Sequence, residues 1–266
     1  MLHLLLAGQR LSCFEGRTAP RTALLLCARE ASEAHRASTL AACAEYLRSA
    51  HFADGGDGVQ RCDFLRDLWG VDSIPALSEE VLSDPTRVLA TIYDIGGPYT
   101  SILSMSVQKK LPMIAHIGIR CYNKEYCYSD HVEVRPVQVM QEIMRDNQQV
   151  TLDLGPAKLS EEELNKLLCE LEADWQAQDY NMFDKNCNHF ALLLASKASE
   201  NGFPTVLSIP VLDITKRMLD ALPEWRRKLG EVFMTQITFA AVVGWAWFTR
   251  SGKERQAAAF GLDAGR

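Results

Sequence analysis

The chain lacks the charge balance of a nucleic-acid binder. Its 34 acidic residues outnumber 28 basic ones, leaving a formal net charge of −6. No basic, aromatic-interleaved stretch offsets this, so a general electrostatic grip on phosphates is excluded. The chain also lacks a disulfide framework. Its eight cysteines (Cys13, Cys27, Cys43, Cys62, Cys121, Cys127, Cys169 and Cys187) are scattered over 266 residues, unlike the dense pattern of a small secreted scaffold. Free thiols in a reducing compartment are the simplest account. The tight Cys pairs of a structural zinc site are missing as well: Cys121, Cys127 and His131 offer ligand atoms, but their spacing straddles an expected hairpin turn. No metal and no cofactor is expected. The opening Met1-Leu-His-Leu-Leu-Leu-Ala-Gly8 is short and has no basic start, so it does not read as a secretory signal. No internal repeat is visible.

What is present describes an ordinary globular protein, 47% apolar and 23% charged, long enough for one substantial domain and an appendage. Residues 1–87 read as a largely helical extension. Ala37–Arg48 has the pattern of an amphipathic helix, Ala53-Asp-Gly-Gly-Asp-Gly58 reads as a flexible break, and Ser73–Leu82 as the start of another helix with Ser78 as a cap. Further on, Thr151–Pro156 reads as strand and turn. Ser160-Glu-Glu-Glu163 is a capping-box signature opening a helix that runs to Trp175, with Leu164, Leu167, Leu168, Leu171 and Trp175 on one face.

The most informative segment is Tyr180-Asn-Met-Phe-Asp-Lys-Asn-Cys-Asn-His-Phe190. It sets Cys187 at the mouth of a helix with Asn186 as N-cap, followed by the apolar run Phe190–Ala198. Unpaired backbone N–H groups and the positive end of the macrodipole favour a thiolate there, and the thiolate is the nucleophile. A partner base lies upstream in Leu111-Pro-Met-Ile-Ala-His-Ile-Gly-Ile-Arg120. This reads as a strand, with Ile114, His116 and Gly118 on one face and Ala115, Ile117 and Ile119 on the other. A turn at Tyr122–Lys124 and a second strand at Glu125–Tyr128 complete a hairpin. A histidine on such a strand can take a proton from a thiol and return it to a leaving amine.

These residues resemble the PPPDE family, permuted papain-fold cysteine peptidases that include the desumoylating isopeptidases. The Asn-Cys-Asn-His-Phe core, the later Phe203-Pro204 and Ile209-Pro210 pairs, the strand Thr91-Ile-Tyr-Asp-Ile95 and the histidine strand Ile114–Ile119 carry the likeness. It covers residues 88–212. It implies an α+β fold with an antiparallel sheet and a nucleophile-bearing helix, a catalytic pair of Cys187 (nucleophile) and His116 (general base and acid), and ubiquitin-like protein conjugates as substrates. In place of the family's glycine-rich stretch after the hairpin stands Ser129-Asp-His-Val-Glu-Val-Arg135, a changed loop beside the substrate groove. The key letters are also similar to lecithin:retinol acyltransferase-like enzymes, which makes a thiol acyltransferase or phospholipase the alternative. A catalytically inactive binding module is the second.

The remaining segment, residues 213–266, contains Val232–Phe248, which has no charged residue and lies between Arg226-Arg-Lys228 and Arg250. A span needs about 20 apolar residues, so this one is short, while Trp245 and Trp247 suit an interface. The reduced thiols agree with a domain facing the cytosol, held at a membrane by this tail. Carbonate extraction of membranes from cells expressing the full chain is expected to leave it in the pellet, and a form ending at Gly230 is expected in the supernatant. Equal extraction of both forms would show that the segment packs on protein.

Overall fold

The computed structural model describes residues 21–49, 55–96, 113–129 and 131–220. Residues 232–248 lie outside these, and among the described residues no helix is long and apolar enough to cross a membrane. The chain divides into two compact units, Met1–Leu40 and Ala41–Arg266, and helix α1 (Arg21–Ser49) runs across that division. Within the second unit follow β1 (Gly55–Gln60), α2 (Leu65–Trp69), β2 (Ile74–Leu77), α3 (Glu79–Ser83), β3 (Arg87–Asp94), β4 (Ala115–Cys121), β5 (Lys124–Tyr128), β6 (Val132–Pro136), α4 (Val137–Ile143), β7 (Gln149–Pro156), α5 (Glu161–Glu172), α6 (Cys187–Ala198) and α7 (Thr205–Asp220). The five later strands form one antiparallel sheet in the order β6-β5-β4-β3-β7. This is a mixed α+β fold.

Strand alternation gives the sheet two unlike faces. Val88, Ala90 and Ile92 of β3, Ile117 and Ile119 of β4, and Val150, Leu152 and Leu154 of β7 point to one face. There they meet Phe190, Ala191, Leu194, Ala195 and Ala198 of α6 and Leu207, Val211 and Ile214 of α7 in the main core. Each large apolar side chain buried there contributes about 1.5–3 kcal/mol. The three alanines of α6 let the helix lie close to the sheet. The opposite face carries a buried polar network. Arg120 Nε and the Tyr93 hydroxyl both donate to Glu125 Oε2 at 2.8 Å, and an Arg120 terminal nitrogen donates to the Tyr93 hydroxyl at 2.8 Å. Met140 and Met144 pack beside Tyr93.

Two further devices complete the frame. The outer edge of β7 is covered at Thr151 by the Gln60 carboxamide, which donates to the Thr151 carbonyl at 2.9 Å and accepts from its N–H at 2.8 Å, as a neighbouring strand would. In α7, Pro210 has no N–H to offer the carbonyl of Val206, four residues back. The Cys43 thiol donates to that carbonyl instead, at 3.1 Å.

Several local expectations are corrected. The stretch at 53–58 is not a break throughout: from Gly55 it enters β1, whose partner β2 takes Ile74–Leu77, just ahead of the expected cap Ser78. Ser78 does cap a helix, accepting from the Val81 N–H at 3.3 Å, but that helix is one turn long. The segment Ser129–Arg135, expected as a loop, supplies edge strand β6 through the period-two pattern Val132-Glu-Val-Arg. The Ser160 capping box forms as expected, yet α5 ends at Glu172 and Trp175 packs from beyond it.

Gly118 faces the buried polar network. A Cβ there would overlap the Glu125 carboxylate, whereas a Cβ at Gly58 would meet Ala76 Cβ at an ordinary 3.6 Å. Gly118→Ala is therefore expected to lower unfolding free energy in urea by about 1–3 kcal/mol through overpacking, and Gly58→Ala to change it by a few tenths at most. Equal urea midpoints for the two variants would show that Glu125 swings aside freely.

Candidate active site

His116 lies on β4 directly opposite Tyr93 of β3, their rings 6.2 Å apart. The ladder between β4 and β5 is confined to Ile119–Cys121 against Lys124–Tyr126. It starts from a two-residue turn in which both Tyr122 (φ 52°) and Asn123 (φ 59°) are left-handed, the type I′ geometry that suits the twist of a hairpin. Such a φ is costly for tyrosine. Hydrogen bonds from the Tyr122 N–H to the Pro85 carbonyl (2.6 Å) and from its hydroxyl to the Leu159 carbonyl (2.5 Å) hold it.

Beyond Ile119, β5 leaves β4 and pairs with β6 through Cys127↔Glu133 and Tyr128↔Val132. Because the Ile114 carbonyl accepts from Ile95 on the β3 side, the backbone groups of Ala115 and Ile117 face the gap that β5 leaves. The first turn of α6 fills it. Asn188 Nδ2 donates to the Ala115 carbonyl at 3.1 Å, and the Ile117 N–H is directed at the Cys187 sulfur. The helix head thus touches β4 at the residues immediately before and after His116.

Asn186 builds that head. Its Oδ1 accepts from the N–H groups of Asn188 (2.9 Å) and His189 (3.1 Å), and its Nδ2 donates to the Met182 carbonyl at 2.6 Å. A cap of this kind is worth about 1 kcal/mol. Tyr180 lies close enough to Cys187 for each to influence the other's titration. Tyr180 is held by aromatic packing: its ring lies 5.5 Å from that of Tyr128, which meets Trp175 edge-on at 5.0 Å and Phe190 at 6.0 Å.

The electrostatics run against one expectation. A helix N-terminus favours the thiolate, but Cys187 is buried, and burial pushes its pKa up to about 11. The N–H groups of Asn188, Cys187 and Ile117 and the Tyr180 hydroxyl pull it the other way without overcoming desolvation. Burial likewise pushes the His116 imidazole from 6.5 down to about 4, against a smaller opposing pull from Glu133. Glu133 is itself buried and bonded by Ser129 and Arg135. The resting site therefore holds a neutral thiol and a neutral imidazole. His116 Nε2 is buried and makes no hydrogen bond among the described residues, and such an atom calls for an explanation.

Cys121 and Cys127 fall on opposite faces of the sheet. Cys121 joins the main core, while Cys127 is buried near Glu125 and Glu133. Tyr180, Asn188 and Glu133 were not singled out as site residues in the sequence. The first two lie within the Cys187 segment, and Glu133 was legible only through the strand alternation of Val132–Arg135.

Residues 86–216 match the family described as the PPPDE putative peptidase domain. It is also similar to the desumoylating isopeptidase 1 homolog of Caenorhabditis elegans, 26% identical over 102 residues. That alignment covers 34% of this chain and 29% of the relative, so the chain spans less than a third of that protein's length.

The histidine shift has a stability consequence. Unfolded, His116 binds a proton near 6.5, and folded only near 4. Between these values the unfolded state holds more protons, so the stability present above 6.5 is lost as pH falls towards 4. The loss amounts to as much as about 1.4 kcal/mol per pH unit. Urea unfolding across this range is expected to show that slope in the native sequence and a flatter one in His116→Ala. Parallel slopes would show that another group carries the titration.

Proposed function

We propose that this chain is a thiol-dependent hydrolase of permuted papain-like architecture, cleaving peptide or isopeptide bonds with Cys187 as nucleophile and His116 as general base and then acid. The observation that carries this reading is the seating of the α6 head on β4 to either side of His116. The histidine strand precedes the cysteine helix in the chain, and geometry rather than chain order defines such a pair.

Because both groups rest neutral, the thiol proton passes to the imidazole as sulfur attacks the carbonyl carbon, rather than beforehand. The developing oxyanion is met by the Cys187 backbone N–H, and the imidazolium returns its proton to the leaving amine. Water then attacks the thioester with His116 again as base, releasing the acid and restoring the thiol. The partner-free Nε2 of His116 is consistent with an atom reserved for these transfers. The substrate class, conjugates of ubiquitin-like modifiers, is suggested by the relative's name. A reducing, cytosol-facing location, with the tail at a membrane surface, accords with the free thiols.

The test offers the full-length protein C-terminally activated ubiquitin and SUMO probes alongside a phospholipid acyl donor. A modifier adduct at Cys187 is expected, and Cys187→Ser or His116→Ala should lower isopeptide hydrolysis by about a thousandfold or more. Acyl labelling without modifier labelling would make the chain an acyltransferase. Labelling by neither would make it a binding module.

A further inference from the structure

The carboxamide of Asn188 reaches both the histidine strand and the cysteine sulfur. Its Nδ2 donates to the Ala115 carbonyl at 3.1 Å, one residue before His116 on β4. A carbonyl only accepts, so this contact fixes which end of the amide is nitrogen and turns the oxygen the other way. There Oδ1 accepts from the Cys187 thiol, with the sulfur at 3.8 Å. An amide oxygen cannot donate, so it is matched to the S–H form of the cysteine and opposes the thiolate. The other two asparagines of the segment are committed elsewhere. Asn181 Oδ1 accepts from the N–H groups of Phe183 (2.8 Å) and Asp184 (3.2 Å), and Asn186 Oδ1 from those of Asn188 and His189. Across the site, His116 Nε2 is buried and has no hydrogen-bond partner among the described residues. A thiol has one proton, and here it is directed at Asn188 rather than at the histidine.

We propose that Asn188 is a positioning residue, which ties the Cys187 sulfur to the histidine strand and holds the thiol proton on its own oxygen until substrate arrives. This rests on the hydrolase reading above. The step from resting to attacking state is a rotation about the Cβ–Sγ bond, which breaks the S–H···Oδ1 contact and turns the S–H towards His116 Nε2. The proton then moves to the imidazole as a sulfur electron pair bonds the carbonyl carbon, and the carbonyl π pair moves to its oxygen. Only a weak thiol donor is given up in the rotation. The amide keeps its hydrogen bond to Ala115 throughout, so the strut between helix and strand stays in place while the proton leaves. Nothing is gained or lost overall: when the thiol is restored at the end of the cycle, its proton returns to Asn188.

The test reads the infrared S–H stretching band of Cys187 in the full-length protein, as the difference between each protein and its Cys187→Ser form, so that the other thiols cancel. The parent band is expected below the frequency of a free thiol in an apolar solvent, because the S–H donates to an amide oxygen. Asn188→Leu removes both polar ends at similar volume. It is expected to raise the band to the free-thiol frequency and to lower kcat for isopeptide hydrolysis by about ten- to hundredfold with KM little changed, as a misplaced nucleophile does. Asn188→Asp retains an oxygen at the same place, and its band is expected at or below the parent frequency, a reading that serves if the leucine variant does not fold. Leu194→Val thins the core under the same helix and is expected to lower the melting temperature while leaving the band in place. A parent band at the free-thiol frequency, no band at all, an Asn188→Asp band at the free-thiol frequency, or an equal shift in Asn188→Leu and Leu194→Val would overturn the role. The band needs no substrate. A protein with the expected bands that cleaves no isopeptide would keep the contact and lose the hydrolase reading, so the two fail separately.

Discussion

Everything at this site depends on a helix end completing a strand edge. Where β5 turns away from β4, the Ala115 carbonyl and the Ile117 N–H would be left without partners inside the protein, at a cost of about 1–3 kcal/mol each. Asn188 and the Cys187 sulfur take those places, and Asn186 closes the helix N-terminus behind them. One set of contacts therefore satisfies the sheet, caps the helix and brings a sulfur to the backbone beside a histidine. No one of these can be moved without disturbing the other two.

The site also shows how burial and local dipoles compete. Neighbouring backbone N–H groups and a helix N-terminus favour the thiolate, yet desolvation outweighs them, and the same desolvation keeps His116 neutral. A charged pair would be expensive to hold at rest in this environment. Chemistry that moves the proton only as the carbonyl arrives is better matched to it, because the developing charge is then shared with the substrate rather than stored in the protein.

Much of this was legible from the chain. Asn186 before an apolar run, and the alternation through Ala115–Cys121, announced the helix and the strand, because capping and strand period are local and each leaves a direct mark on sequence. The polar network of Tyr93, Arg120 and Glu125 left no such mark. Its members are 5 to 32 residues apart and meet only through strand register. The state of the Cys187 thiol was misjudged for a related reason: a helix N-terminus can be read locally, whereas the depth of burial that outweighs it is a property of the whole packed domain. Trp175 was placed on the helix by its spacing, but the aromatic cluster of Tyr128 and Phe190 draws it off the helix end.

The gap in the β4 edge has a bearing on how the chain comes to fold. The β4–β5 hairpin closes through a two-residue turn and can form as soon as it is made. The groups that finish the upper part of β4 belong to Cys187 and Asn188, about seventy residues later along the chain, and closing a loop of that length is slow beside hairpin formation. During synthesis, Ala115–Ile117 is thus an open strand edge between apolar residues, the kind of surface that invites pairing with another chain. The nascent protein is most vulnerable to misassembly in the interval between emergence of the histidine strand and arrival of the cysteine helix.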